Sequence, residues 1–204
     1  MKHVAHTFLT KPELRHKHHR HWHYIYKRRS YQPISWREIA LGQIIALSGS
    51  LAAGLLLEVN KYSLSLFAGA FLLLPGVIDL AASITGAMCA KINHRLETSD
   101  QTWHIAEDSV AFALLLSLCS GLVVGLTGGA IGAIFFEAIF WQIAVLCIAT
   151  MVGVGVVAYP AMALLTILIR KIGADPDNIV GPVETGFTDM LTVITVALLV
   201  RIFV

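Results

Sequence analysis

Long apolar runs alternate with short polar breaks along this chain, and the runs are too long for the core of a soluble domain. A helix that crosses a bilayer needs about 20 mostly apolar residues. Five stretches meet that need, at 36–57, 64–92, 108–128, 138–170 and 178–203. The breaks at 58–63, 93–107 and 171–177 are short and polar, and 129–137, reading GAIGAIFFE, is expected as a short loop. The pattern predicts an all-α membrane protein: one five-helix domain over 36–204, preceded by a polar head over 1–35.

Composition strengthens this picture. Of 204 residues, 56 % are hydrophobic and 14 % charged, against about 25 % charged in soluble domains. Charge then supplies an orientation. The head carries Lys2, Lys11, Arg15, Lys17, Arg20, Lys27, Arg28 and Arg29 against one acid, Glu13, and no signal-peptide pattern opens it. Basic flanks stay on the cytoplasmic side. An N-in, C-out topology leaves only Lys61 and Arg201, of fifteen Lys and Arg, on the far side. The expected location is the plasma (inner) membrane of a prokaryote.

Seven of the nine histidines crowd into the head, in HKHHRHWHYIYKRR and just before it. Such a tract suits transition metals, but the spacing fits no closed site and no carboxylate or cysteine cluster accompanies it. A solvated basic arm against anionic headgroups, anchored by Trp22, Tyr24 and Tyr26, is the favoured reading. Cys89, Cys119 and Cys147 lie inside predicted spans without C-x-x-C spacing, as packing residues do.

Within the first span, Gly42, Ser48, Gly49, Ser50, Ala52, Ala53 and Gly54 read as a surface for close helix packing. The second span carries Pro75-Gly76, which predicts a kink or local unwinding. Asp79 follows one turn later, with Ser83 and Gly86 on the same face. In the next connection His94 and His104 read as solvated, with Ser99 or Asp100 as a cap. Glu107-Asp108 is expected in the first turn of the third helix, and Gly153, Gly155 and Pro160 in a bend of the fourth. Gly173 ends the fourth helix, and Asp177 or Asn178 caps the fifth.

The fifth span concentrates the candidate chemistry, in NIVGPVETGFTDMLTVITVALLVRIF. A carboxylate at membrane depth costs about 2.5–3.5 kcal/mol on insertion scales, so Asp189 and Asp79 are expected on a bundle interior or a watery path. Helical spacing places Thr185, Asp189 and Thr192 on one stripe, with Glu184 and Thr188 on an adjoining one. Pro182 loosens the first turns, and Gly181 and Gly186 leave the backbone open. Carboxylates, hydroxyls and carbonyls are the ligands of hard cations, and magnesium is held largely through its own water. No histidine or cysteine stands near, which argues against zinc or copper. The competing role for Asp189 is a hydrogen bond that only ties helices together. Glu184, nearer the cytoplasmic face, is also placed to reach headgroup water.

With these features the chain resembles the membrane domain of MgtE-type magnesium transporters, and more closely the half-repeats of the solute carrier family 41 and their single-repeat prokaryotic relatives. DNIVGPVETGFTDMLTVITVALL carries most of the resemblance and LLLPGVIDLAASITGAMCAKI the rest, over about 36–204. The resemblance implies a homodimer with its pore between protomers, lined by the second and fifth helices. It implies that Asp189 holds a hydrated magnesium ion at the dimer axis, that Thr185 and Gly181 line the pore, and that Pro75 is the second-helix proline. The chain departs from the pattern where a Gly-Asn usually follows that proline. Ala82-Ser83 stands there instead, and Asp79 is added.

The reading is therefore a divalent-cation channel or transporter, most simply for Mg2+, and not an enzyme; an aspartate protease would show Gly-x-Gly-Asp surroundings. Candidate metal-binding residues are Asp189, Asp79, Thr185, Glu184 and Ser83. Pore-lining or structural candidates are Gly181, Pro182, Gly186, Thr188, Thr192, Pro75 and Gly76. No cofactor is expected beyond the transported ion. The expected partners are membrane lipid, a second copy and a divalent cation, with no nucleic acid. Two other readings use the same residues: a Na+- or H+-coupled cation exchanger, and a non-transporting membrane subunit whose aspartates seal helix packing.

Overall fold

A computed structural model describes residues 36–67, 69–97 and 102–203. The His-rich head and the Ser99 or Asp100 cap fall outside the described residues. Five helices make up most of the described residues: α1, Trp36–Ser65; α2, Ala70–Leu96; α3, Thr102–Phe135; α4, Phe140–Lys171; and α5, Pro176–Phe203. Each is long and apolar enough to cross a membrane, and no strand occurs among the described residues.

The helices outrun the apolar segments that predict them. Residues 58–63, expected as a loop, remain helical. There the Lys61 ammonium pairs with Glu58, and Asn60 donates to the Leu56 carbonyl at 2.8 Å. Hydropathy marks where the chain leaves oil, not where its hydrogen-bond ladder stops. The helix ends only at Ser65, and Gly69 in the following turn takes the left-handed region at φ 86°. For the same reason α3 starts early, placing Glu107 and Asp108 in its second turn rather than its first.

Of the kink or local unwinding expected at Pro75-Gly76, the unwinding is corrected. Helix α2 is continuous from Ala70 to Leu96 with Pro75 inside it. Because the helix begins at Ala70, the proline sits in its second turn, where little of the backbone ladder precedes it. Pro160 lies inside α4, which is helical from Phe140 to Lys171.

Antiparallel packing is set by small residues. On α3, Gly121, Gly125 and Gly129 face Ile148, Ala144 and Phe140 of α4. A β-carbon at Gly125 would come within 2.8 Å of the Ala144 carbonyl oxygen. This seam contains a buried polar chain: the Tyr159 hydroxyl donates to Ser117 Oγ at 2.9 Å, and Ser117 donates to the Met151 carbonyl at 2.8 Å. Helices α2 and α4 form the middle of the bundle, in contact with each other, with α3 and with α5. Of the five, α4 is the most buried and α1 the least.

The α4–α5 connection is tightly specified. Ala174 N–H donates to the Ile169 carbonyl and Gly173 N–H to that of Arg170, with Gly173 at φ 83°. These are the paired bonds of a Schellman ending, and Gly173 stops the helix as predicted. The cap of α5 is Asp175 rather than Asp177 or Asn178. Its Oδ1 accepts from Asp177 N–H at 3.0 Å. Pro176 takes the first helical position, where its missing N–H costs nothing.

Candidate cation site

Helix α5 presents two polar stripes. The inner one is Glu184, Thr188 and Thr192, all buried. Each threonine returns its hydroxyl to the carbonyl four residues back, Thr188 to Glu184 at 2.8 Å and Thr192 to Thr188 at 2.7 Å. The outer one is Gly181, Thr185 and Asp189, the first two exposed and Asp189 half-buried. Thr192 therefore shares the inner face and not that of Asp189, a correction to the expected grouping. Spacing yields stripes on a helix, but not which stripe a bundle covers.

The same division separates the two acids. The Glu184 side chain is 6 % exposed, so it does not reach headgroup water. It turns toward α2, where a β-carbon at Gly86 would lie 2.9 Å from its Oε1. The missing side chain at Gly86 is the space that this carboxyl fills. Its Oε2 is buried with no hydrogen-bond partner among the described residues. Asp189, midway along α5, instead accepts a hydrogen bond from the Ser50 hydroxyl of α1 at 3.0 Å, through Oδ2.

On α2, Pro75, Gly76, Asp79 and Ser83 all lie on the exposed side. The contact of Gly86 with Glu184 and that of Asn93 with Asp177 fix an antiparallel register between α2 and α5. Continued along the helices, that register brings Asp79 level with Leu191. At about 1.5 Å of rise per residue it lies within about 3 Å of the depth of Asp189. The two carboxylates share a level, but Asp79, Glu184 and Asp189 do not gather into one nest. No group of three His, Cys, Asp or Glu placed to hold a metal occurs among the described residues. Neither Asp79 nor Asp189 forms an ion pair with a basic side chain among them.

Thr185 donates its hydroxyl to the Gly181 carbonyl at 3.2 Å. Its proton is thus committed to the backbone, and the oxygen lone pairs remain free toward the exposed side. Pro182 is half-buried and packs near Gly42 of α1. Gly186 is buried against α1, where an added β-carbon would meet the Ala46 carbonyl at 2.7 Å. Gly186 therefore serves the α1–α5 joint rather than an open surface.

Sequence reasoning missed two arrangements. Ser50, read as one small residue among several, touches Asp189 from 139 positions away. At the end where α2 and α4 finish and α5 begins, Arg170 donates to Asn93 Oδ1 at 2.6 Å, and Asn93 donates to Asp177 at 2.9 Å. The available signals were a serine amid apolar neighbours and an amide beside the basic flank of a span. Neither names its partner. His94 and His104 are exposed, each opposite a glutamate three residues on. Cys89 and Cys147 are buried and Cys119 is exposed, all three as free thiols.

Residues 74–199 match the family model for MgtE, described as a divalent cation transporter. The matched segment holds every polar residue of both α5 stripes together with Asp79 and Ser83, while α1 and its Ser50 lie before it. No curated protein and no solved structure matches the chain. Five helices of membrane-spanning length occur among the described residues, Asp79, Glu184 and Asp189 fall inside the matched segment, and the chain belongs to the MgtE family of divalent cation transporters.

Proposed function

We propose that the protein is a homodimeric Mg2+ channel or transporter in which a hydrated ion passes between two copies of the outer α5 stripe. The observation that carries this reading is Asp189. It is a half-buried carboxylate at mid-membrane, with a serine donor and no basic side chain paired to it among the described residues. Such a charge is costly in lipid, and the exposed polar stripe around it requires cover by something other than lipid. A second copy supplies that cover, and brings a second Asp189 toward the first. Two like charges at low dielectric repel strongly, and a dication between them reverses the sign of the interaction.

The stripe suits an ion that keeps its water. Magnesium dehydrates reluctantly, and an acceptor-only surface of Asp189 carboxylate and Thr185 oxygen accepts hydrogen bonds from coordinated water. Asp79 and Ser83, exposed at a similar depth on α2, add oxygen to the same path. Glu184 faces Gly86, so we assign it to the α2–α5 joint. The topology that fits is N-in, C-out in a prokaryotic plasma membrane, with lipid, a second copy and the ion as partners and no resident cofactor. Arg37, Lys91, Arg95, Arg170 and Lys171 then share the cytoplasmic end, and Lys61 and Arg201 the other.

Proteoliposome uptake tests this reading. Wild type should take up Mg2+ with membrane potential, Asp79→Asn should transport less well, and Asp189→Asn should not transport. Uptake that follows a sodium or pH gradient instead points to coupled exchange. Normal transport by both variants would leave the aspartates as packing residues and end the proposal.

A further inference from the structure

Helix α1 lies outside the matched segment, yet it reaches the depth of the acid. A β-carbon at Gly49 would stand 2.8 Å from the Gly186 backbone, so the two helices meet there main chain to main chain. Gly42 likewise lies against Asn178 and Pro182, and Arg201 donates to Asn60 at 2.9 Å. These contacts run in the same direction along both helices, so α1 and α5 are parallel. The glycine contact fixes their register one turn before Asp189. It is this register that sets the Ser50 hydroxyl 3.0 Å from Asp189 Oδ2. A free carboxylate on a helix rotates about its side-chain bonds. Held at Oδ2 by a donor, it keeps one orientation, and Oδ1 remains for a ligand. Hydrogen bonds to ionised acceptors are the strong ones, and preorganisation lowers the entropy lost on binding.

We propose that Ser50 is a positioning residue for Asp189, so that α1 takes part in presenting the carboxylate to a hydrated divalent cation. The inference rests on the ion-path reading above and adds a helix to it. Its specific consequence is that affinity, rather than turnover or folding, depends on the hydroxyl.

The test is Mg2+ uptake against Mg2+ concentration in proteoliposomes of the full chain, for wild type, Ser50→Ala, Ser50→Thr and Asp189→Asn. Thermal melting of each in detergent runs in parallel. Losing one donor to a carboxylate should raise the half-saturating concentration of Ser50→Ala by about three- to tenfold, with maximal rate and melting temperature close to wild type. Ser50→Thr, which keeps a hydroxyl, should restore the wild-type concentration. A Ser50→Ala protein that saturates like wild type overturns the inference, as does one whose rate and melting temperature fall together at unchanged half-saturation. If Asp189→Asn is inactive in either case, the ion-path reading survives the loss of this one. Normal uptake by Asp189→Asn removes both.

Discussion

The α3–α4 seam and the outer face of α5 both hold polar groups at membrane depth, and they treat them in opposite ways. In the seam, Tyr159 donates to Ser117 and Ser117 to a carbonyl, so each hydroxyl proton is used inside the chain. On α5, Asp189 receives one hydrogen bond and no countercharge among the described residues, and it remains half-buried on an exposed stripe. A polar residue in a membrane helix is thus not itself a sign of transport. What separates the two regions is whether the bundle completes the group's interactions or leaves some for another molecule.

Substitutions at the two regions should separate accordingly. The largest effect is expected at Asp189, where Asn keeps the shape and removes the charge. Initial Mg2+ uptake should fall by at least about tenfold with little change in melting temperature, because a dication site loses its anion. Gly186→Leu should act through packing. The added side chain meets the Ala46 carbonyl and the Gly49 backbone, and overpacking of this kind costs about 1–3 kcal/mol, read as a lower melting temperature in detergent. Ser117→Ala removes the acceptor of a buried tyrosine hydroxyl and should destabilise by about 1–3 kcal/mol, while the half-saturating Mg2+ concentration of the folded fraction stays put. Asp175→Ala should cost about 1 kcal/mol as a lost helix cap, measured the same way. Smallest in stability is Gly181→Ala. Nothing lies within 4 Å of the added β-carbon, and the change should leave stability equal or raise it by about 0.5–1 kcal/mol. An accompanying drop in uptake there would sharpen the contrast, since it separates path from packing.

The sequence made the five spans legible because the insertion requirement is coarse: about 20 apolar residues suffice to declare each one. It made Gly173 legible because few residues other than glycine accept a left-handed helix ending. It misplaced what depends on partners. Pro75 reads as a local unwinding only if the helix starts well before it, and the start at Ala70 puts it in the second turn. Asp175 displaces Asp177 as the cap because Pro176 occupies the first helical position. Thr192 sits on a stripe with Glu184 because α2 and α4 lie on that side of α5. The Ser50–Asp189 and Arg170–Asn93–Asp177 contacts join distant segments, and no local pattern encodes them. Within the candidate site, therefore, the place of Asp189 along its helix was legible and its Ser50 partner was not.

Accessibility of the outer stripe tests the central claim most directly. Thr185→Cys can be placed in a Cys119→Ser background, since Cys89 and Cys147 are buried, and treated in membranes with a charged, lipid-insoluble thiol reagent. If the stripe lines a watery ion path, the introduced thiol reacts, Mg2+ slows the reaction, and uptake falls as modification proceeds. If that thiol resists the charged reagent but accepts a lipid-soluble maleimide at the same rate with and without Mg2+, the stripe faces lipid and the account is wrong.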